Sequence, residues 1–243
     1  MSKFITQTAG ALSATALLLA GASANAATFV STLDHSQAQS NGPWGTVTIT
    51  EVDANNVRVQ LDLAAGYKMV DTGAHQAFSF NLLDSPNSTV TVVTPTGGTN
   101  PLTYQGDGTF ANSPFGNFTN AFACCGPGAN NAKITPFIFN VYNASGITFA
   151  GVGYTTDSAG RLTSVGTGNR FASNTTGSLD GFTGGWWFAA DVVAPDGKTT
   201  GVVAARDAFV AGVPEPATWA MMIIGFGAAG SVIRRRRTAS ATA

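Results

Sequence analysis

Between residues 45 and 63 apolar and polar positions alternate with period two. Val57, Val59, Leu61 and Leu63 fall on one side and Arg58, Gln60 and Asp62 on the other, the pattern of a half-buried strand whose successive side chains point to opposite faces. Just upstream, Val47 and Ile49 alternate with Thr46, Thr48 and Thr50, and Asp53-Ala54-Asn55-Asn56 supplies turn formers. The two runs predict a hairpin. Further strands are expected at 77–83, 89–93, 136–142 and 148–154, and at 185–193, where Trp186, Phe188 and Ala190 would share a face. Ala194-Pro195-Asp196-Gly197 then turns the chain into a last strand at 199–205, while residues 94–132, rich in Gly, Asn and Pro, read as loop. Short strands separated by Gly, Pro and Asn, without an amphipathic helix, predict an all-β body at residues 27–212, an antiparallel β-sandwich or jelly-roll-like fold.

Both ends break this pattern. Lys3 precedes an apolar stretch from Ala9 to Ala20, and Ala24-Asn25-Ala26 places small residues where a signal peptidase reads them. Residues 1–26 are therefore expected to be a secretory signal peptide cleaved after Ala26, its apolar core too short to span a bilayer of roughly 30 Å. At the other end Val213-Pro214-Glu215-Pro216 leads into the uncharged stretch Ala217–Ile233, closed by Arg234-Arg235-Arg236-Arg237. A helix over 217–233 rises about 25 Å, a short but usable membrane span, with Trp219 near the interface. The arginines hold that end in the cytoplasm, so the body lies outside. The two prolines stop the helix and keep Glu215 extended, hence accessible at the membrane face.

Composition narrows the remaining choices. Of 243 residues 44% are hydrophobic and only 10% charged, well below the roughly 25% charged in average soluble domains. Within residues 27–213, seven basic residues face twelve acidic ones, a net charge of -5. A mildly acidic body with scattered cations has no footprint for nucleic acid.

The stretch from Val213 through Pro214-Glu215-Pro216-Ala217-Thr218-Trp219-Ala220 to Gly227, closed by Arg234 to Arg237, resembles the PEP-CTERM sorting signal in its Pro-Glu-Pro-x-x-Trp-Ala form, so residues 213–243 are expected to be a sorting domain. The resemblance implies that the chain is the substrate of an exosortase, a membrane-embedded cysteine transpeptidase of Gram-negative bacteria that make exopolysaccharide. Processing would then occur near Pro214–Pro216. The body resembles a recurrent group of proteins with this tail at Phe118–Gly128, Phe137–Val141, Gly185–Asp191 and Gly201–Ala205. That likeness supports the fold without supplying a reaction.

Chemistry-bearing residues are few. Cys124 and Cys125 are adjacent in an oxidising compartment and read either as a vicinal disulfide, which that compartment prefers, or as two thiols. No metal site is expected, since two thiolates fall short of four ligands and His35 and His75 are distant in sequence. No cofactor is implied. Neither His sits in a catalytic motif, there is no Gly-x-Ser-x-Gly elbow, and no pair of acids can be matched from sequence, so no catalytic residue is assigned. Asn143-Ala144-Ser145 has the form of a glycan acceptor. Because neighbours on a strand point oppositely, one of Trp186 and Trp187 should be core and the other exposed as a candidate glycan contact. The expectation is an exported, non-enzymatic surface or extracellular-matrix protein, anchored in the membrane before processing and associated with exopolysaccharide. A carbohydrate-binding module is the alternative, and a hydrolase a weaker one.

Overall fold

The computed structural model describes residues 26–40, 42–94, 101–125 and 131–211. The expected signal peptide, apart from Ala26, and the whole of residues 212–243 lie outside the described residues.

The chain enters through β1 (Thr28–Leu33) and the two-residue β2 (His35–Ser36), then forms a hairpin from β3 (Gly45–Asp53) and β4 (Asn56–Leu63). Next come β5 (Lys68–Met69), β6 (Phe78–Leu82), a 3-10 turn at Ser85–Asn87 and β7 (Ser88–Val92). A second hairpin joins β8 (Thr103–Ala111) to β9 (Asn117–Ala123), and β10 (Phe137–Asn143) follows. Short strands β11 (Thr155–Thr156), β12 (Leu162–Ser164), β13 (Phe171–Ala172), β14 (Ser178–Leu179) and β15 (Phe182–Thr183) come next. The last three are β16 (Phe188–Val193), β17 (Thr200–Ala205) and β18 (Phe209–Val210).

Two antiparallel sheets result. Sheet one runs β18-β1-β3-β4-β10-β7, and sheet two runs β2-β17-β16-β6-β9-β8, with β13 paired to β6 and β5 to β16. The body is all-β, with a β-sandwich arrangement and a single 3-10 turn among the described residues. The predicted hairpin is present. Its turn is fastened by Asp53, whose Oδ1 accepts from the Asn55 N–H at 2.8 Å and from Asn56 Nδ2 at 2.9 Å. Val47, Ile49, Val57, Val59 and Leu61 are fully buried and Leu63 partly so, while Arg58 is exposed and Gln60 and Asp62 are half-buried.

The sheets meet on a layer of phenylalanines. Phe78 and Phe80 of β6 and Phe122 of β9 face Phe137 and Phe139 of β10, and Phe188 of β16 stacks on Phe78. Ring centroids lie 5.2 Å apart for Phe80–Phe139, 4.8 Å for Phe122–Phe137 and 4.9 Å for Phe122–Phe139. Each such pair adds about 0.5–1.5 kcal/mol beyond the area it buries. Phe149, Phe171 and Trp187 continue the layer at one end of the sandwich.

Two expectations fail. Residues 94–132 are not simply loop, since β8 and β9 lie there. β8 is an edge strand, mostly exposed, whose register slips on either side of Asp107, so it carries no apolar stripe to betray it. Residues 148–154 form no strand and make only isolated bridges, Thr148 to Arg170 and Val152 to Thr167. Gly151 there has a φ of 81°, a conformation that ends an extended run.

Phe139→Ala should cost about 3–5 kcal/mol, because truncating a fully buried ring loses its transfer energy and leaves a cavity. Urea denaturation of the 27–211 body, followed by tryptophan fluorescence, measures this. The exposed Thr91→Ala should stay within about 0.5 kcal/mol of wild type. A Phe139→Ala loss no larger than that of Thr91→Ala would mean the ring layer does not hold the sheets together.

Candidate functional site

The outer face of sheet two carries the buried polar side chains Ser79, Asn81 and Asp191. Period two turns Phe188, Ala190 and Val192 of β16 inward, leaving Ala189 and Asp191 on the outer side. Two straps cover that side. Residues 70–76 lie over Asp191, and the turn after β8 together with residues 173–186 lies over Ala189, Val202 and Ala204, burying Phe115, Phe118 and Trp186 in a small second cluster.

Asp191 is fully buried. Its Oδ2 accepts from the Thr72 N–H at 2.7 Å and from the Thr72 hydroxyl, while Oδ1 has no hydrogen-bond partner among the described residues. His75 Nδ1 stands 4.0 Å from Oδ2. Burial pushes the Asp191 carboxyl above the ordinary carboxylate range, against the lowering effect of the Thr72 bonds and of His75. Asp71 is also raised by burial, although its Oδ2 accepts from the Cys124 N–H at 3.2 Å. Cys124 and Cys125 are joined as a vicinal disulfide, which lines a cleft of about 360 Å³ with Pro101, Thr103, Gln105 and Ala123.

The tryptophan expectation is corrected. Trp186 is 0% exposed and Trp187 8% exposed, so neither ring is a surface platform. Strand alternation fails because both precede β16 and are fixed from elsewhere. The Trp186 N–H donates to Asn174 Oδ1 at 3.1 Å and the Trp187 N–H to the Ala205 carbonyl at 2.9 Å. Trp186 therefore packs edge-on against Phe115 at 4.8 Å under the strap, away from Phe188 and Ala190, while Trp187 packs at a tilt against Phe149 in the main core. Trp44 is buried as well.

The two histidines stay apart in role. His35 lies between Asp34 at 3.5 Å and Asp180 at 3.6 Å, its ring edge-on to Trp186 at 5.1 Å. His75 belongs to the Asp191 group. Among the described residues no group of three or more His, Cys, Asp or Glu could hold a metal ion. Asn143 is closed to modification in the folded body, since it is buried and its Nδ2 donates to Asp84 Oδ2 at 3.0 Å and Ser88 Oγ at 3.2 Å.

One further cleft, of about 270 Å³, opens where β6 is flanked by β9 and β13. Sequence reasoning missed it because its residues carry no charge and no motif. There Asn81 and Thr119 replace ladder partners: the Thr119 N–H donates to Asn81 Oδ1 at 2.8 Å and the Leu82 N–H to Thr119 Oγ1 at 3.2 Å. The opposite wall is pinned by the Asn117 N–H donating to Thr176 Oγ1 at 2.8 Å, and Gly177 is pressed so close to the Phe115 backbone that a Cβ would collide with it.

Both ends of the body meet at one edge of sheet one. Phe29 of β1 pairs with Val210 of β18, and the Ala211 N–H donates to the Thr28 carbonyl at 2.8 Å. Ala26 is exposed just before β1. Immediately after β18, residues 212–237 match the family model of the PEP-CTERM protein-sorting motif. The chain carries a PEP-CTERM sorting motif. Such a motif implies exosortase-dependent sorting of an exported protein. The named signal residues Val213, Pro214, Glu215, Pro216, Trp219 and Arg234 to Arg237, the span at 217–233 and Ala24 all lie outside the described residues. Among the described residues no helix is long and apolar enough to cross a membrane. No curated protein and no solved structure matches the chain.

Two outcomes follow from this geometry. Because the folded state favours protonated Asp191, its contribution to stability is full below the unfolded value of 3.8 and is lost as pH rises through the raised folded value. The melting temperature of Asp191→Asn, relative to wild type, should therefore climb between pH 3.5 and pH 7.5, with Asp71 and His75 the ionisable groups facing the site. A flat difference would show that Asp191 is not penalised by burial. For the cysteines, intact mass after alkylation of exported protein should show no label without reductant and two labels with it. Two labels without reductant would show that the bridge is absent.

Proposed function

We propose that this chain is an exported, non-enzymatic cell-surface or extracellular-matrix protein, sorted and processed by an exosortase-type system and associated with exopolysaccharide. The sorting motif at residues 212–237 carries this reading. The tail supplies the address: a Pro-bounded extended site, an uncharged stretch of membrane-spanning length and four arginines follow one another in that order. The body is the cargo, and its two ends, tied together at one sheet edge, let it stand as a closed unit on either side of processing.

The absence of catalysis in this reading is supported by where the reactive groups sit. The Asp71 charge disfavours ionisation of Asp191, which is fully buried under Thr72. His35 is packed against Trp186. A carbohydrate-binding role is favoured as the second reading by the uncharged polar cleft beside β6.

A tag placed within the body, followed by fractionation and intact mass in hosts with and without exosortase, tests the leading reading. The wild-type chain should lose residues 217–243 only where exosortase is present. Glu215→Ala should leave the body exported but full-length and membrane-bound, since insertion energetics are untouched while recognition is lost. Neutral replacements of Arg234 to Arg237 should instead weaken membrane retention, because the barrier to complete translocation is removed. A mature wild-type form that keeps its tail in the exosortase-positive host would make the tail a permanent anchor and end the sorting reading.

A further inference from the structure

The cleft beside β6 is lined by uncharged polar residues together with Leu82, Leu83 and Ala172. Asn81, at its floor, is only 6% exposed; Oδ1 is committed to the Thr119 N–H, and Nδ2 has no hydrogen-bond partner among the described residues. Because Oδ1 must accept from that N–H, the other end of the amide must be the donor, so the unused group is fixed as an N–H. A sealed, unpartnered donor costs about 1–3 kcal/mol. Asn81 Nδ2 has almost no accessible surface, so the donors and acceptors open to a ligand are those of the walls.

The walls carry the same kind of unused capacity. The side chains of Asn117, Ser173 and Thr175 line the cleft and make no hydrogen bond within the described residues, although the Asn117 backbone is fixed by Thr176. Leu83, 57% exposed, adds an apolar patch at the rim. None of the described side chains lining the cleft is charged. A phosphate, carboxylate or ammonium entering here would lose hydration without meeting a countercharge. A neutral ring with several hydroxyls and a C–H face suits both halves of the lining, since each hydroxyl both donates and accepts. The volume, about 270 Å³, lies just below the usual range of ligand sites, about 300–1,000 Å³, and fits a short sugar unit rather than a long enclosed chain.

We propose that this cleft binds a neutral sugar residue of an extracellular polysaccharide, with Asn117, Ser173 and Thr175 bonding ring hydroxyls and Leu83 covering the C–H face. The assignment rests on the reading of the body as a surface protein that meets exopolysaccharide. It places recognition on amide and hydroxyl groups of β9 and of the segment after β13 rather than on the tryptophans. The preformed walls, held by the Asn117–Thr176 bond and by the contact of Gly177 with the Phe115 backbone, limit the ordering that binding would require.

The test uses the full chain purified in detergent, titrated calorimetrically with oligosaccharides of glucose, galactose, mannose and N-acetylglucosamine, and with an oligouronate as the charged comparison. At least one neutral oligosaccharide should bind and the oligouronate should not. The exposed double substitution Asn117→Ala with Thr175→Ala should weaken binding at least tenfold with an unchanged melting temperature. Thr103→Ala in the other cleft should have no effect. Binding of the oligouronate alone, no binding of any neutral sugar, or wild-type affinity in the double variant would each overturn the assignment. Fractionation separates this from the broader reading: exosortase-dependent surface delivery without sugar binding sinks the cleft alone, while sugar binding without that delivery sinks the sorting reading alone.

Discussion

The packing of phenylalanine rings between the two sheets is the constraint on which the rest of the body depends. β6 contributes Phe78 and Phe80, β9 Phe122, β16 Phe188, and β10 answers with Phe137 and Phe139. Large rings at these positions bury much apolar area per residue, which matters in a chain with few charges and many glycines. They also fix register. A slip of one residue in β10 would turn Phe137 and Phe139 outward and bring Ile138 and Asn140 into the core. With register set in this way, the outward residues of β6 and β16, Ser79, Asn81, Ala189 and Asp191, are placed on the opposite face, where the polar chemistry resides.

That outer face has its own physical problem. A sheet packed on one side can leave the other to water, yet here straps lie over much of it and bury polar side chains that must be satisfied. Asn112 shows the solution: Oδ1 accepts from the Gln76 N–H at 2.7 Å while Nδ2 donates to the Gln76 carbonyl at 3.2 Å and to Ser79 Oγ at 2.9 Å. Asn174 does the same for the second strap, donating to the Phe115 carbonyl and accepting from the Trp186 N–H. Asp191 and Asn81 are satisfied at one end only. Their environments differ: Asp191 is a carboxyl that faces His75 and shapes pH dependence, whereas Asn81 is a neutral amide in the lining of a cleft.

The sequence revealed the strands whose two faces meet different surroundings. β3 and β4 have one face in the core and one facing outward, so Val57, Val59 and Leu61 stood out against Arg58 and Gln60. β6 and β16 are buried on both faces, and there period two is erased; their existence could be read from apolar runs, but not which side chain faces which layer. Alternation carried back beyond the start of β16 groups Trp186 with Phe188, although Asn174 holds it in the second cluster. β8 and β9 were concealed for the opposite reason, since the edge strand β8 is largely exposed and interrupted by register slips. The cleft beside β6 was illegible because it is built from side chains distant in sequence, such as Asn81 and Thr175, whose types are common in any loop.

The sorting motif and the cleft are readable by different means because they work by different physics. A sorting tail acts through a contiguous order of elements, Pro-Glu-Pro, uncharged stretch, arginines, and its information is linear. A binding cleft exists only after β6, β9 and β13 have converged, and its information is three-dimensional. The body joins the two at β18, the strand from which the sorting motif follows. β18 pairs with β1 through only two residues, Phe209 and Val210, but is also gripped by the Val210 N–H to Gly160 and the Leu162 N–H to Ala208. Those bonds belong to the body and not to the tail. Cleavage near Pro214–Pro216 would therefore leave every one of them intact, so the ring layer, the straps and the cleft would be the same before and after release. Any ligand the body holds would be held in both states, and processing would change where the protein goes without changing what it binds.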